Sequence, residues 1–460
     1  MLATRSLIDI AERCGGTLWC RDGIASAPAS RFSGVAIDSR NCADGDLFVA
    51  IVGDHHDGHD FIAGLDDRPA ALVVSELQRE SPLLQWLVDD TTVALGQLAQ
   101  CEREYFQGPV IALTGSSGKS SVKEMCASIL GLLAPTLATE GNLNNQFGAP
   151  LTLLSMKPDQ RYAVIELGAS RVGDIEYLAA LTNADIALVN NIQPAHVAGF
   201  GSLQAIAQEK SAIYRQLGAD GIAVINLDEP YAAGWLQEMG ERRVITFSVS
   251  QPSADIGAQA VELSDDGCAR FSLQADHQSC AVALQIPGIH QVSNALAAAA
   301  LTRAVGADIE TIARGLSAAK TLGGRLSVEK LSERVTLIDD SYNANPGSVQ
   351  AAIDLLAAMP GLRCLVLGDM AELGEQAEQW HQKIGRYASE KGIETVVAVG
   401  DLAAQAARSA GGVVCQNQPE CLQTLLSLAE QSSAVTFLVK GSRSAAMDQL
   451  SAQLRSEVHD

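Results

Sequence analysis

Thr114-Gly115-Ser116-Ser117-Gly118-Lys119-Ser120 leaves this chain few options. The apolar run Val110–Thr114 before it reads as a buried strand. The pattern after it, beginning with Ser120-Ser121 and continuing to Leu133, reads as a helix. A strand, a glycine loop and a helix in that order make one unit of an α/β fold with a parallel sheet. Glycines let backbone N–H groups turn inward around phosphate oxygens, and the helix N-terminus adds a favourable dipole. Lys119 is placed to reach the β- and γ-phosphates of ATP, and Ser120 to offer its hydroxyl to magnesium. The general motif has a glycine six residues before the lysine. Here that position is Leu113, so the loop is the shorter form T-G-x-x-G-K-S. A ligand-free strand-to-helix turn would not need Gly, Lys and Ser together in this register.

A chain of 460 residues is too long for one hydrophobic core, so about three domains are expected. Residues 1–88 read as a small α/β domain of short strands and loops. Residues 89–322 hold the phosphate loop and the apolar runs YAVIELG, ADIALVNNI and GIAVINLD, the pattern of a parallel sheet buried on both faces. Helices are expected at Thr91 to Phe106, Leu203 to Leu217 and from Val292, and an irregular stretch at Val244 to Ile286. Gly323-Gly324 marks a hinge. Residues 323–460 repeat the strand–helix alternation (VTLIDD, RCLVLGD, TVVAVGD, TFLVKG), a Rossmann-like domain. Without G-x-G-x-x-G after its first strand, dinucleotide binding is not indicated.

The formal charge of −22 argues against nucleic acid or an anionic membrane as partner. An anionic substrate must then meet local positive charge or metal ions. The ten cysteines are scattered without a Cys-x-x-Cys pair, and Cys126 and Cys364 lie inside apolar runs as buried thiols do; a reducing compartment is expected. Asp9 and Glu12 interrupt the stretch a signal peptide would need, and no apolar run approaches the ~20 residues of a membrane span. A cytoplasmic protein is the expectation.

Three further residues could hold cations. Glu166 ends an apolar strand, at the end of an open α/β sheet where ligands bind. His196 follows the next strand, in QPAHVAGFGS. Lys210, in IAQEKSAIY, has the look of a surface helix lysine. Taken singly, each has an ordinary reading as a cap, a solvated histidine or a surface charge. His55, His56 and His59 have no matching Cys or His pair nearby, so a solvated loop is expected there rather than zinc.

The order phosphate loop, strand-end Glu, loop His and helical Lys resembles the Mur ligases, as does the short loop form. Long strings carry the resemblance further: TEGNLNNQFGAPLTLL (139–154), IDDSYNANPGSVQAAI (338–353), VLGDMAELG (366–374) and VKGSRSAAMD (439–448). The resemblance implies an ATP-dependent ligase that forms an amide bond through an acyl phosphate. It would join D-alanyl-D-alanine to a UDP-N-acetylmuramoyl-tripeptide as a peptidoglycan precursor, and a monomer is expected. It implies two magnesium ions held by Ser120, Glu166, His196 and Lys210, the lysine as a carbamate made from CO2. It assigns Asn294 to the adenine side, Arg325 to the phosphates, and Asp340, with Asn345 and Pro346 nearby, to the ribose or another part of the nucleotide. Asn142, Asn144 and Asn145 would hold the UDP-muramoyl substrate, and Ser39, Arg40, Asp57 and His59 its uridine diphosphate. Two alternatives stay open: a ligase like folylpolyglutamate synthase, and a non-catalytic nucleotide-binding protein built on the same loop. Over a hundred residues precede Lys119, more than the former has before its loop. The latter would not need Glu166, His196 and Lys210 together.

Overall fold

The computed structural model describes residues 1–21, 31–53, 55–66, 68–194, 197–321 and 323–458. It is an α/β protein built on three sheets. The first comprises β2 (Thr17–Trp19), β4 (Gly34–Ala36), β5 (Asp46–Val49), β6 (Ala71–Val74) and β7 (Leu84–Leu87), in the order β2-β7-β6-β5-β4. A short antiparallel pair, β1 (Arg5–Ser6) and β3 (Arg31–Phe32), flanks it beside helix α1 (Leu7–Cys14).

Helix α2 (Thr91–Tyr105) leads to the central sheet. Its strands are β8 (Val110–Thr114), β9 (Thr136–Ala138), β10 (Tyr162–Glu166), β11 (Ile186–Val189), β12 (Ile222–Asn226), β13 (Arg243–Ser248), β14 (Ile256–Leu263), β15 (Cys268–Ala275) and β16 (Gln278–Pro287). The order is β16-β15-β14-β13-β12-β11-β8-β10-β9, parallel from β9 across to β14 and antiparallel beyond. The stretch Val244 to Ile286, expected to be irregular, is therefore a run of paired strands. Its outer faces are solvated and its turns are tight, so it lacks the apolar runs that mark the buried strands.

Helices α3 (Lys119–Leu130), α4 (Gly148–Leu154), α5 (Asp174–Thr182), α6 (Val197–Phe200), α7 (Leu203–Arg215), α8 (Ala232–Met239), α9 (Gln291–Ala304) and α10 (Ile309–Ala318) complete this part. Side chains on a strand alternate between faces, and β8 shows both faces buried. Val110 and Ala112 pack with α2, α5 and α7, while Ile111 and Leu113 pack with α3, α9 and α10. The first of these clusters also contains Leu7, Phe32, Val73 and Trp86, so the amino-terminal sheet and one face of the central sheet share a single core.

The last sheet contains β17 (Ser327–Lys330), β18 (Val335–Asp340), β19 (Leu362–Gly368), β20 (Thr395–Val399), β21 (Val413–Cys415) and β22 (Val435–Lys440), ordered β17-β18-β22-β19-β20-β21. Helices α11 (Pro346–Ala357), α12 (Ala377–Glu390), α13 (Ala403–Ala410), α14 (Gln418–Gln431) and α15 (Met447–Glu457) cover it. Its two cores draw only on residues from Leu326 onward. All ten cysteines are free, Cys126 and Cys364 among the buried ones.

The turn after β19 is pinned by a histidine. The Met370 N–H donates to His381 Nε2 (2.9 Å), and Nδ1–H of the same ring donates to the Ala377 carbonyl (2.7 Å). Burial holds the His381 pKa below the usual value, outweighing the Ala377 carbonyl and Asp369. The fold thus favours neutral imidazole, so the stabilisation is complete above the unfolded pKa of about 6.5 and is lost as pH falls through the lower folded value. Hydrogen exchange at the Met370 amide, corrected for intrinsic rate, should lose protection below about pH 6.5, and His381→Asn should remove that dependence. Unchanged wild-type protection down to strongly acidic pH would exclude this role.

Candidate active site

Parallel pairing sets the site. Glu166 lies opposite Leu113 in the β10–β8 register, and Val189 lies opposite Thr114 in β11–β8. The carboxyl ends of three adjacent strands therefore open at one level, where open α/β sheets bind ligands. The loop between β8 and α3 turns at Gly115 (φ 154°) and Gly118 (φ 76°). A Cβ at Gly118 would stand 2.4 Å from Asn294 Oδ1 and 2.7 Å from Asn190 Nδ2, so only glycine fits.

The following segment braces the loop. Ser116 N–H donates to the Asn191 carbonyl, Ser117 N–H to Asn191 Oδ1, and Asn190 Nδ2 to the Ser117 carbonyl. The N–H groups of Gly118, Lys119, Ser120 and Ser121 keep no acceptor among the described residues. Four converging donors at a helix start form an anion cradle. Lys119 Nζ folds back to the Gly115 carbonyl (2.8 Å). Burial pushes its pKa down, Glu166 opposes that, and the Arg325 charge adds to it.

Ser120 Oγ donates to Glu166 Oε2 and Asn144 Nδ2 to Glu166 Oε1, each at 2.7 Å. Glu166 N–H donates in turn to Thr139 Oγ1 (2.9 Å). Asn144, one of the residues expected to hold the UDP-muramoyl substrate, thus bonds the strand-end carboxylate. Lys210, which its sequence context made a surface residue, is 2 % exposed. Burial foremost, then the Lys119 ammonium, push its pKa down to about 7, against Glu209 and Asp174. Glu209 is engaged elsewhere, accepting from Gly173 N–H and Ile175 N–H at the start of α5. His196 lies outside the described residues. Among those described, no cluster of three His, Cys, Asp or Glu could hold a metal.

The carboxy-terminal part closes over the same edge. Arg325 stacks its guanidinium 4.0 Å from the centre of the Tyr342 ring, and its charge acts on Lys119. Asn345 caps α11 through Oδ1 and donates from Nδ2 to Ser117 Oγ (3.2 Å). Asn294 sits inside α9, accepting from Asn190 Nδ2 (3.0 Å) and donating to Gln291 Oε1 (2.9 Å). Asp340 is buried, paired with Lys440 and accepting from Leu326 N–H (3.2 Å). Burial raises its pKa against the pull of Lys440 and Arg325.

The amino-terminal candidates lie on another sheet. Arg40 is exposed and bonded to Asp38, and the Ser39 carbonyl accepts from Arg68. His59 departs from the expected solvated loop. It is buried, with Nδ1 on Asp57 Oδ1 (2.6 Å) and Nε2 accepting from Ser75 N–H (3.0 Å). Two apposed backbone segments need a two-ended side chain between them, and imidazole supplies it. His55 and His56 are exposed. Asn142 is exposed, and Asn145 Oδ1 caps α4 through Phe147 and Gly148 N–H.

Sequence reading missed Asn190, Asn191, Gln193, Tyr342 and Lys440. Tyr342 and Lys440 lie within two of the long strings quoted above, whereas Asn190, Asn191 and Gln193 end or follow the apolar run ADIALVNNI, where polar residues directly after an apolar strand were the available signal.

Three segments match the Mur ligase domain families: residues 31–100 the catalytic domain, 113–302 the middle domain and 324–443 the glutamate ligase domain. The chain belongs to the Mur ligase family. Among its relatives is UDP-N-acetylmuramoyl-tripeptide–D-alanyl-D-alanine ligase of Escherichia coli, 42% identical over 90% of this chain and 92% of that one. A crystal structure of MurF from Acinetobacter baumannii superposes with a TM-score of 0.93 at 35% identity, covering 99% of this chain and all of that one. MurF of Thermotoga maritima in complex with ADP gives 0.81 at 26% identity, over 92% and 97%.

Lys119→Ala removes the cation over the cradle and should lower kcat/KM for ATP by about a hundredfold or more, with an unchanged circular dichroism spectrum. Wild-type turnover would take Lys119 out of the site.

Proposed function

We propose that this protein joins D-alanyl-D-alanine to the tripeptide carboxylate of UDP-N-acetylmuramoyl-tripeptide, converting ATP to ADP and phosphate. The observation that carries the reading is the convergence of Lys119, Ser120, Glu166, Lys210 and Arg325 at one sheet edge, in a chain that spans the length of its D-alanyl-D-alanine-adding relatives. The expected setting is the cytoplasm, with one chain as the working unit. No helix among the described residues is long and apolar enough to cross a membrane.

The substrates' own repulsion is the obstacle. A tripeptide carboxylate must approach the γ-phosphate of ATP in line, and both are anions. Lys119 and Arg325 spread the triphosphate charge, and the free N–H groups of Gly118 to Ser121 fix its oxygens. The carboxylate oxygen forms a bond to the γ-phosphorus as the bond to the ADP oxygen breaks. The dipeptide amine then attacks the acyl carbon of this mixed anhydride, phosphate departs, and the amine proton passes to solvent. Holding the reactants together can supply ~7–11 kcal/mol of barrier lowering. Acyl phosphates hydrolyse, so closure of the carboxy-terminal part excludes water.

Magnesium fits the donor set: the Ser120 hydroxyl and Glu166 carboxylate are hard oxygen ligands. Two such ions would neutralise phosphate charge, with Ser120, Glu166, His196 and carbamylated Lys210 as ligands. Carbamate formation would supply a further carboxylate at this edge, and burial favours the neutral Lys210 amine that attack on CO2 requires. Asp340 and Asn294 are assigned to the nucleoside side, Asn142, Asn144 and Asn145 with Ser39, Arg40, Asp57 and His59 to the UDP-peptide.

ADP release should require the UDP-tripeptide, and the pentapeptide product should require the dipeptide as well. Brisk release from ATP alone would defeat the ligase reading, and glutamate incorporation into a folate would favour the folylpolyglutamate alternative. For Lys210, labelled 13CO2 should give a carbamate resonance in the wild type that Lys210→Ala lacks. The same variant should lose most activity and regain part of it with acetate or formate. No resonance in active enzyme would refute the modification.

A further inference from the structure

Gln193 belongs to no group assigned above, yet it touches three parts of the site. Its backbone exchanges hydrogen bonds with Ser116: Gln193 N–H donates to Ser116 Oγ (2.9 Å), and that hydroxyl donates to the Gln193 carbonyl (3.0 Å). Its side-chain Oε1 accepts from Ser117 Oγ (2.7 Å). The same Ser117 hydroxyl accepts from Asn345 Nδ2, across the seam between the central and carboxy-terminal sheets. Gly347, in the first turn of α11, lies directly against the Gln193 amide. A Cβ at position 347 would stand 2.4 Å from Gln193 Oε1 and 2.6 Å from its Cδ.

The Gly347 φ is not in the left-handed region, so its backbone does not demand glycine. What a side chain there would meet is the end of the Gln193 side chain. The amide, in turn, cannot swing aside without giving up Ser117, a residue of the phosphate loop. The start of α11 therefore rests on a surface that exists only while Ser117 and Gln193 are joined.

We propose that Gln193 is a positioning residue that makes seating of the carboxy-terminal domain depend on an ordered phosphate loop. When Ser117 holds the Gln193 amide, Gly347 and Asn345 find a flat seat and the domain closes with Arg325 near Lys119. When the loop is disordered, the amide projects into the space Gly347 needs. The proposal rests on the ligase reading only in requiring closure for turnover.

The test is a double-mutant cycle in the full-length enzyme, with kcat and KM measured using ATP, UDP-tripeptide and dipeptide. Gly347→Ala should lower kcat about tenfold while shifting KM for ATP much less, because the cradle stays whole. Its melting temperature should hold or rise, since alanine is preferred to glycine in a helix. In the Gln193→Ala background the same Gly347→Ala change should have almost no effect, because the atom it strikes is gone. Small-angle scattering with a non-hydrolysable ATP analogue and UDP-tripeptide should show a more extended particle for Gly347→Ala than for wild type. An equal loss from Gly347→Ala in both backgrounds, or none in the wild type, would overturn the proposal. A wild type that fails to make the amide would instead sink the ligase reading.

Discussion

The Ser120–Glu166 hydrogen bond ties together two requirements that oppose each other. The phosphate loop must present positive charge to an anion, and a carboxylate must stand close enough to share a cation with it. Left unpaired in a buried place, that carboxylate would be costly. The Ser120 hydroxyl, the Asn144 amide and the Lys119 ammonium each answer part of its charge. The parallel register of β8 and β10 brings them into range, so the sheet's pairing is itself a condition for the chemistry.

Lys210 follows from the same environment. In water its amine would be an ammonium and useless as a ligand. Burial on α7 beside a second ammonium disfavours that charge, and a neutral amine is the form open to conversion into a carboxylate. As the proposed carbamate, this basic side chain would join Glu166 as an acidic group at the site.

Much of this was legible in the sequence. The strand–loop–helix unit follows from local pattern, because VIALT alternates two buried faces and Gly118 admits no side chain. The paired strands of Val244 to Ile286 were hidden because strands with one solvated face lack an apolar run. The burial of Lys210 and His59 was hidden for a different reason. Each is set by segments distant in sequence, α5 and the phosphate loop for one and Ser75 for the other. The hydrogen bond from Asn144 to Glu166, on the neighbouring strand, could not be read from spacing.

The distribution of apolar cores decides which piece of the molecule can move. The amino-terminal sheet and the central sheet are fused through one cluster running from Leu7 to Met239, so separating them would expose that cluster to water at a cost proportional to area. The residues beyond Leu326 form cores of their own and meet the rest through polar contacts such as Asn345 on Ser117 and a small apolar one, Leu355 against Gly267. A rotation at Gly324 therefore breaks chiefly hydrogen bonds that water can replace and leaves the large greasy interiors sealed, which makes the third sheet the natural jaw and the other two its anvil.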